Sequence, residues 1–82
     1  MNLIISYDIS DEKRLRKVAK YLEKVGLRVQ YSVFLFPNPK KEHLQKVIRD
    51  LVKMIGEEDS IKVYKFSMKY AISNYEIEKF IV

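Results

Sequence analysis

The sequence contains no cysteine and no tryptophan, and its 82 residues include only two glycines and two prolines. The lack of cysteine excludes disulfide bridges, zinc sites built on thiolates and cysteine nucleophiles. The patterns HExxH, GxSxG and the phosphate-binding P-loop are also absent from the sequence. The sequence therefore gives no support for a metalloprotease, a serine hydrolase with a nucleophile elbow or a nucleoside-triphosphatase.

Long hydrophobic runs are missing as well. The apolar run at residues 3–5 is too short for the core of a signal peptide or for a membrane span, and no basic stretch precedes it. We therefore expect a cytoplasmic protein without a membrane partner. Because 48% of the residues are hydrophobic and no linker or repeat interrupts them, residues 1–82 are expected to fold as one domain.

The formal charge of +5 is confined to the first half of the chain. Residues 1–41 carry nine Lys and Arg against four Asp and Glu, whereas residues 42–82 carry seven of each kind. Such a concentrated basic excess suggests a polyanionic partner, although a solvated basic surface has the same composition. Nucleic acid is the partner class that this charge pattern favours.

The first third of the chain predicts a strand followed by a helix. Residues 2–7 are rich in β-branched and aromatic side chains and end at Asp8, which is typical of a mostly buried strand. Ser10 is predicted to cap the helix and Gly26 to end it. The apolar positions between them repeat at helical spacing: Leu15, Val18, Ala19, Leu22 and Val25.

Cations occupy the opposite side of this predicted helix. They are Lys13, Arg16, Lys17, Lys20 and Lys24, with Arg14 beside them. The stripe is consistent with contacts to phosphates, and equally with a solvated helix face, which is the commoner meaning of such a pattern. Its position directly after Asp8 favours the phosphate interpretation.

The rest of the chain predicts a strand or hairpin, a second helix and further strands. Residues 28–36 are rich in β-forming side chains and are expected to bend or split near residues 31–32. Asn38 is predicted to cap the second helix, with Pro39 at its first position. Residues 61–66 and 77–82 predict strands, whereas residues 67–76 carry no clear pattern. The apolar positions of the second helix extend to Gly56: Leu44, Val47, Ile48, Leu51, Val52 and Ile55.

This order of elements predicts an α+β fold, the ferredoxin-like split βαβ sandwich, with two helices on one face of a mainly antiparallel sheet. The strands nevertheless carry apolar side chains on both faces, more than a solvated face normally tolerates. Burial against a second copy is the simplest remedy, so a homodimer is expected. The short C-terminal strand at residues 77–82 either completes its own sheet or packs across the dimer.

Asp8 is the main candidate for chemistry, because a carboxylate between a strand and a helix can be held rigidly and still face solvent. An aspartate in this position often makes an Asx-turn or helps to cap the helix. The alternative is a ligand of a divalent cation, since Mg²⁺ is commonly held by one or two carboxylates, waters and substrate phosphate. A two-fold dimer could supply two copies of Asp8.

Other acid–base groups are scarce. The only histidine, His43, falls off the apolar positions of the second helix and is interpreted as a surface residue. The glycine-rich aromatic signature of RNA-recognition motifs is absent, which favours contacts to the nucleic-acid backbone over readout of the bases.

Several of these features occur together in one known family. The strand ending in Tyr7 and Asp8, the basic helix, Gly26 and the segment from Arg28 to Phe34 (Arg-Val-Gln-Tyr-Ser-Val-Phe) resemble the CRISPR-associated protein 2 family. Residues 30–34 are the most specific part of the match, which covers at least residues 1–36. The acidic residue that many members place after Ser-Val-Phe is Leu35 here.

The resemblance implies a ferredoxin-like homodimer with Asp8 as the catalytic and metal-binding residue. It further implies a divalent-metal-dependent endonuclease, using Mg²⁺ or Mn²⁺, that cleaves single-stranded RNA or double-stranded DNA and takes part in spacer acquisition for antiviral defence. Tyr7 and Phe34 match supporting positions near the family's site. The expected contacts to nucleic acid come from Ser10, Lys13, Arg14, Arg16, Lys17, Lys20 and Arg28.

Three other functions fit parts of the sequence. The family resemblance also implies an alternative function, a non-catalytic DNA-binding homodimer that bridges the partner integrase, CRISPR-associated protein 1, in the acquisition complex. A toxin-like ribonuclease of the same fold would act on RNA without an integrase. A ferredoxin-like module for small regulatory ligands is disfavoured by the basic stripe and by the lack of a glycine-rich loop.

Overall fold

The computed structural model describes residues 1–66. Within this range the elements follow the predicted order, and the split expected near residues 31–32 separates two short strands. The predicted strand at residues 77–82 lies outside the described residues. The elements are β1 (Asn2–Asp8), α1 (Glu12–Val25), β2 (Leu27–Gln30), β3 (Val33–Phe36), α2 (Lys41–Met54) and β4 (Ser60–Phe66).

The four strands form one sheet in the order β2-β3-β1-β4, and each neighbouring pair is antiparallel. Because β1 and β2 both run antiparallel to β3, they run parallel to each other with β3 between them. This is the split βαβ arrangement, so the predicted α+β, ferredoxin-like fold is confirmed. The pairing of β2 with β3 is irregular between Arg28 and Gln30, where the register shifts.

The core lies between the sheet and both helices. Alternate residues of β1, namely Leu3, Ile5 and Tyr7, are buried against the helices, together with two phenylalanines of β3. Both helices therefore cover the same face of the sheet, as predicted. The two phenylalanines are Phe34 and Phe36, and the remaining buried residues of the core are Ile9, Val18, Leu22, Val47 and Leu51.

A polar contact ties the two helices together at the edge of this core. The hydroxyl of Tyr21 in α1 donates a hydrogen bond of 2.6 Å to Asp50 Oδ2 in α2, which also accepts one of 2.9 Å from Lys46 Nζ. Burial and the hydrogen bond to Asp50 raise the pKa of Tyr21 to about 12. Tyr21 therefore stays protonated and remains a donor throughout the neutral range.

The start of α1 differs from the prediction by one residue. Asp11, not Ser10, caps the helix, and its Oδ2 accepts a hydrogen bond of 2.9 Å from the backbone N–H of Arg14. Serine and aspartate are about equally good caps, so their order in the sequence did not reveal which of them would be used. Ser10 is left as an exposed residue in the link between β1 and α1.

The predicted cap of α2 is wrong. The helix begins at Lys41 after Lys40, which makes no side-chain cap, while Asn38 lies outside the helix at a φ of 42°. The backbone N–H of Asn38 donates to Asn2 Oδ1, and its own Oδ1 accepts from the amino group of Met1, each at 2.9 Å. Asn38 thus fastens the N-terminus instead of a helix.

The apolar face of α2 is narrower than predicted. Val47 and Leu51 are buried, but Val52 is 64% exposed to solvent. Val52 lies about 100° around the helix from Leu51, on the side that faces solvent.

Gly26 ends α1 as predicted, but the reason is the close approach of a side chain. Its φ of −140° is open to any residue. A Cβ atom at this position would lie 2.7 Å from Cζ of the buried Phe36 ring. The glycine therefore allows the end of α1 to pack directly over β3.

The face of the sheet away from the helices carries a row of apolar side chains across all four strands. In register these are Leu27, Leu35, Ile4 and Tyr64. Leu27 is 57% exposed and Tyr64 is 51% exposed, whereas Ile4 and Leu35 are half-buried. We call this surface the open face.

Candidate functional site

Asp8 is the last residue of β1, and its side chain is exposed. Because side chains alternate along a strand, Asp8 shares the open face with Ile4 and Ser6, opposite to the buried Tyr7. In the neighbouring strand β4 it pairs with Ser60. Ile9, which follows it, is buried in the core and fixes the chain just beyond the carboxylate.

The start of β4, which pairs with Asp8, is held by an ion-pair cluster that the sequence did not predict. Arg14 of α1 donates from Nε to Asp59 Oδ2 at 2.7 Å and also pairs with Glu58. The same Oδ2 accepts a hydrogen bond of 2.7 Å from the backbone N–H of Gly56. Asp59 directly precedes Ser60, so the cluster fixes the start of β4 where it meets Asp8.

The hydrogen bond from Arg14, followed by that from the backbone N–H of Gly56, holds the pKa of Asp59 below its ordinary value. The ionised form is therefore favoured more in the folded chain than in the unfolded chain, whose aspartates titrate near pH 4 (about 3.9). Stability contributed by Asp59 should be complete above about pH 4 and should be lost as pH falls through the lower folded-state pKa.

We expect an Asp59→Asn variant to be less stable than the wild type at pH 7 and to show a smaller further loss between about pH 4 and pH 2. Urea unfolding at several pH values measures both quantities. Glu57→Gln is the matched control, because Glu57 is an exposed neighbour without an ion pair among residues 1–66. Equal acid profiles for Asp59→Asn and the wild type would contradict this role.

The basic stripe of α1 is largely exposed, as predicted. Lys13, Arg16, Lys17 and Lys20 all face solvent and have no ion-pair partner within residues 1–66. Arg14 differs from them because its guanidinium is occupied by Glu58 and Asp59. Its contact with nucleic acid stays a prediction, and its visible partners give it a structural role.

A surface cleft of ≈ 370 Å³ lies between α1 and the turn that joins β2 to β3. Arg28 is one of its lining residues, and it donates to Glu23 Oε2 at 3.0 Å and to the backbone carbonyl of Tyr31 at 2.9 Å. Its guanidinium also lies over the rings of Tyr31 and Phe34, at 5.8 Å and 5.2 Å from the ring centres. These contacts hold Arg28 in one orientation.

The floor of this cleft joins it to the core. The Tyr7 ring stacks on Phe34 with 6.2 Å between ring centres, and its hydroxyl donates a hydrogen bond of 3.4 Å to the backbone carbonyl of Tyr31. Burial raises the pKa of Tyr7, so its hydroxyl stays protonated at neutral pH. Tyr7 and Phe34 therefore support the cleft, and their role beside the family's site stays a prediction.

The predicted site residues thus divide between two surfaces. Tyr7, Arg16, Lys20 and Arg28 line the cleft on the helix side of the sheet, whereas Asp8 belongs to the open face. Tyr31, which completes the cleft, was not singled out from the sequence. The sequence predicted the break beside Tyr31 but not the packing of α1 and Arg28 against it, which makes Tyr31 part of a cleft.

The donor atoms around Asp8 suit a hard divalent cation only in part. Among residues 1–66, no three histidine, aspartate or glutamate side chains lie close enough together to hold a metal ion. One exposed carboxylate per chain fits Mg²⁺ or Mn²⁺ when a second carboxylate, waters and phosphate oxygens complete the ligands. In a homodimer, which stays a prediction, a second copy of Asp8 could supply such a carboxylate.

The fold and the site define a class of small ferredoxin-like proteins with an exposed strand-end carboxylate and a basic first helix. A profile of the family described as CRISPR associated protein Cas2 matches residues 1–72. The chain belongs to this family, which confirms the resemblance noted from the sequence.

Individual relatives agree with this assignment. The CRISPR-associated endoribonuclease Cas2 1 of Nitrosomonas europaea is 41% identical over 64 residues, which cover 77% of this chain and 60% of that protein. The chain thus spans about three fifths of the length of this curated relative. The crystal structure of Streptococcus pyogenes Cas2 superposes with a TM-score of 0.76 at 32% identity, covering 89% of this chain and 94% of that one.

A third match is to a chain of a structure described as a partial Cas6-RT-Cas1–Cas2 complex. Its TM-score is 0.73 at 27% identity, and the match covers 80% of this chain and 73% of that one.

Within residues 1–66, no helix is long and apolar enough to cross a membrane.

Proposed function

We propose that this chain is a divalent-metal-dependent endonuclease of the spacer-acquisition module for antiviral defence, and that it acts as a homodimer. The observation that carries the proposal is the exposed Asp8 carboxylate at the fixed end of β1, on the same face as the apolar row. Burial of the open face against a second copy would bring two such strand ends to one interface. The relative from Nitrosomonas europaea carries the name endoribonuclease, which supports this choice.

Asp8 from each copy would hold Mg²⁺ or Mn²⁺, and the bound ion would supply a more acidic water and neutralise charge on the scissile phosphate. Ser10, exposed just beyond Asp8, is proposed to donate a hydrogen bond to a neighbouring phosphate. The exposed lysines and Arg16 of α1 would attract the strand and set its path. Arg28, bound to Glu23 on the helix side, is proposed to hold the strand there.

A second function is favoured by the separation of the basic helix from Asp8. A dimer could bind the DNA backbone through α1 and bridge the partner integrase, CRISPR-associated protein 1, without using the carboxylate. The match to a chain of a Cas1–Cas2 complex supports this partner. In this case binding should depend steeply on salt, because phosphate contacts release counterions.

The test incubates the purified chain with labelled single-stranded RNA and double-stranded DNA in Mg²⁺, in Mn²⁺ or in chelator. We expect cleavage with either ion and none with chelator, together with a dimeric mass by light scattering. An Asp8→Asn preparation run in parallel excludes a contaminating nuclease. No cleavage by a folded dimer that binds DNA in a salt-dependent manner would favour the adaptor function instead.

A further inference from the structure

The cleft between α1 and the β2–β3 turn carries an exposed aromatic ring that is restrained from one side. Tyr31 is 71% exposed, the highest value among the large hydrophobic side chains of residues 1–66. One face of its ring is covered by the guanidinium of Arg28, and Glu23 and the Tyr31 carbonyl fix that guanidinium. The other face of the ring is available to a planar ligand.

The charges around this ring select an anion. Three cations, Arg16, Lys20 and Arg28, line the cleft, and Glu23 is its one acidic lining residue. The charge of Glu23 is offset by the ion pair with Arg28, at 3.0 Å. Arg16 and Lys20 have no acidic partner among residues 1–66, so two uncompensated cations face the cleft one helical turn apart.

The size of the cleft limits what can occupy it. A volume of ≈ 370 Å³ lies near the lower end of the range of pockets that take small molecules, about 300 to 1,000 Å³. A planar ring beside a phosphate fits this size and chemistry. A base inside a duplex is already stacked and paired and cannot reach an aromatic side chain, whereas an unpaired base can.

We propose that the cleft is a subsite for one unpaired nucleotide of a nucleic-acid strand. The base stacks on the outer face of Tyr31, and the adjoining phosphates are bound by Arg16 and Lys20. Arg28 is a positioning residue that restrains the Tyr31 ring from behind. The inference rests on the proposed action on nucleic acid and deepens it, because the subsite makes the protein prefer single strands or unpaired ends to blunt duplex. Stacking of this kind is tolerant of base identity.

The test measures binding in chelator, where no cleavage interferes. A short single strand carrying 2-aminopurine is compared with a blunt duplex of the same sequence, each as RNA and as DNA. Tyr31→Ala is expected to weaken binding of the single strand about tenfold and to leave the duplex unchanged. The quenching of 2-aminopurine fluorescence should be lost in Tyr31→Ala and kept in Tyr31→Phe, which retains the ring.

A matched pair of charge variants tests the phosphate contact. Lys20→Ala and Lys24→Ala remove the same charge from the same helix, but only Lys20 lines the cleft. Lys20→Ala should weaken binding of the single strand more than Lys24→Ala does. Circular dichroism checks that each variant is folded. Tyr31→Ala should fold, because the ring is exposed and the backbone carbonyl that accepts hydrogen bonds from Arg28 and Tyr7 is kept.

The inference is overturned when Tyr31→Ala affects single strand and duplex alike or affects neither, or when quenching persists in that variant. Equal losses of single-strand affinity in Lys20→Ala and Lys24→Ala would contradict the proposed contact between Lys20 and a phosphate. The proposed nuclease activity can be wrong while the subsite is right. A wild type that never cleaves RNA or DNA can still show base stacking on Tyr31, and Asp8→Asn should leave this stacking unchanged. Separate binding and cleavage measurements therefore distinguish the two failures.

Discussion

Replacement of Asp8 by asparagine is expected to lower the rate of the proposed metal-dependent cleavage at least about a hundredfold while the protein stays folded. A metal ion contributes several kcal/mol to stabilising the charge that develops on a scissile phosphate, and about 1.4 kcal/mol corresponds to a tenfold change in rate. Asparagine keeps the size of the side chain but replaces a carboxylate oxygen by an amide nitrogen. Since Asp8 is exposed and makes no ion pair in residues 1–66, its loss should cost little stability.

Asp11→Asn is the matched control for this variant. It removes the same charge three residues away, and asparagine caps a helix about as well as aspartate does. Metal binding measured by Mn²⁺ electron paramagnetic resonance gives a readout independent of cleavage, and Asp8→Asn should lose it while Asp11→Asn keeps it. Cleavage that survives in Asp8→Asn would assign the activity to another site or to a contaminant.

Truncation of Phe34 to alanine is expected to cost about 3 to 5 kcal/mol of unfolding free energy. Phe34 is fully buried, stacks on Tyr7 and lies beneath the guanidinium of Arg28. Because small domains have a total stability of about 5 to 15 kcal/mol, this single change would leave much of the protein unfolded under mild denaturing conditions. Urea unfolding at two protein concentrations measures the loss and separates it from dissociation of a dimer.

Val52→Ala is the comparison for Phe34→Ala, because Val52 is an exposed apolar residue of α2 and its truncation should cost less than about 0.5 kcal/mol. Phe34→Leu keeps most of the buried volume without the ring and is expected to cost about 1.5 kcal/mol. A Phe34→Ala variant as stable as Val52→Ala would show that the core is organised differently.

The sequence predicted those parts of the fold that depend on local periodicity. The apolar repeats from Leu15 to Val25 and from Leu44 to Ile55 located the two helices, and the β-forming runs located the described strands. The uncovered sheet face followed from apolar residues on both sides of β1. Helix starts were less predictable. Ser10 and Asp11 are both good caps, and Asn38, at a φ of 42°, contacts Met1 and Asn2 instead of capping α2.

The exposed position of Asp8 was predicted from one strand alone, whereas contacts between distant segments were missed. Asp8 was identified from its position at the end of a strand. Glu58 and Asp59, the partners of Arg14, follow it by 44 and 45 residues in the sequence. The helical wheel does not show such distant partners, so it placed Arg14 with the exposed cations of α1. Tyr31 and Arg28 form a cleft only because α1 packs beside the β2–β3 turn, which no local pattern shows.

The connection between α2 and β4 also limits how the chain can change in length. Residues 55–59 are held at both ends, since Asp59 accepts from the backbone of Gly56 and binds Arg14 across the molecule. One inserted residue after Asp59 would slide β4 by one position along β1 and turn its side chains to the opposite face. Lys62 would then leave the side of the sheet that it shares with Ser6. Insertions should therefore be poorly tolerated here, although loops at a protein surface usually accept them.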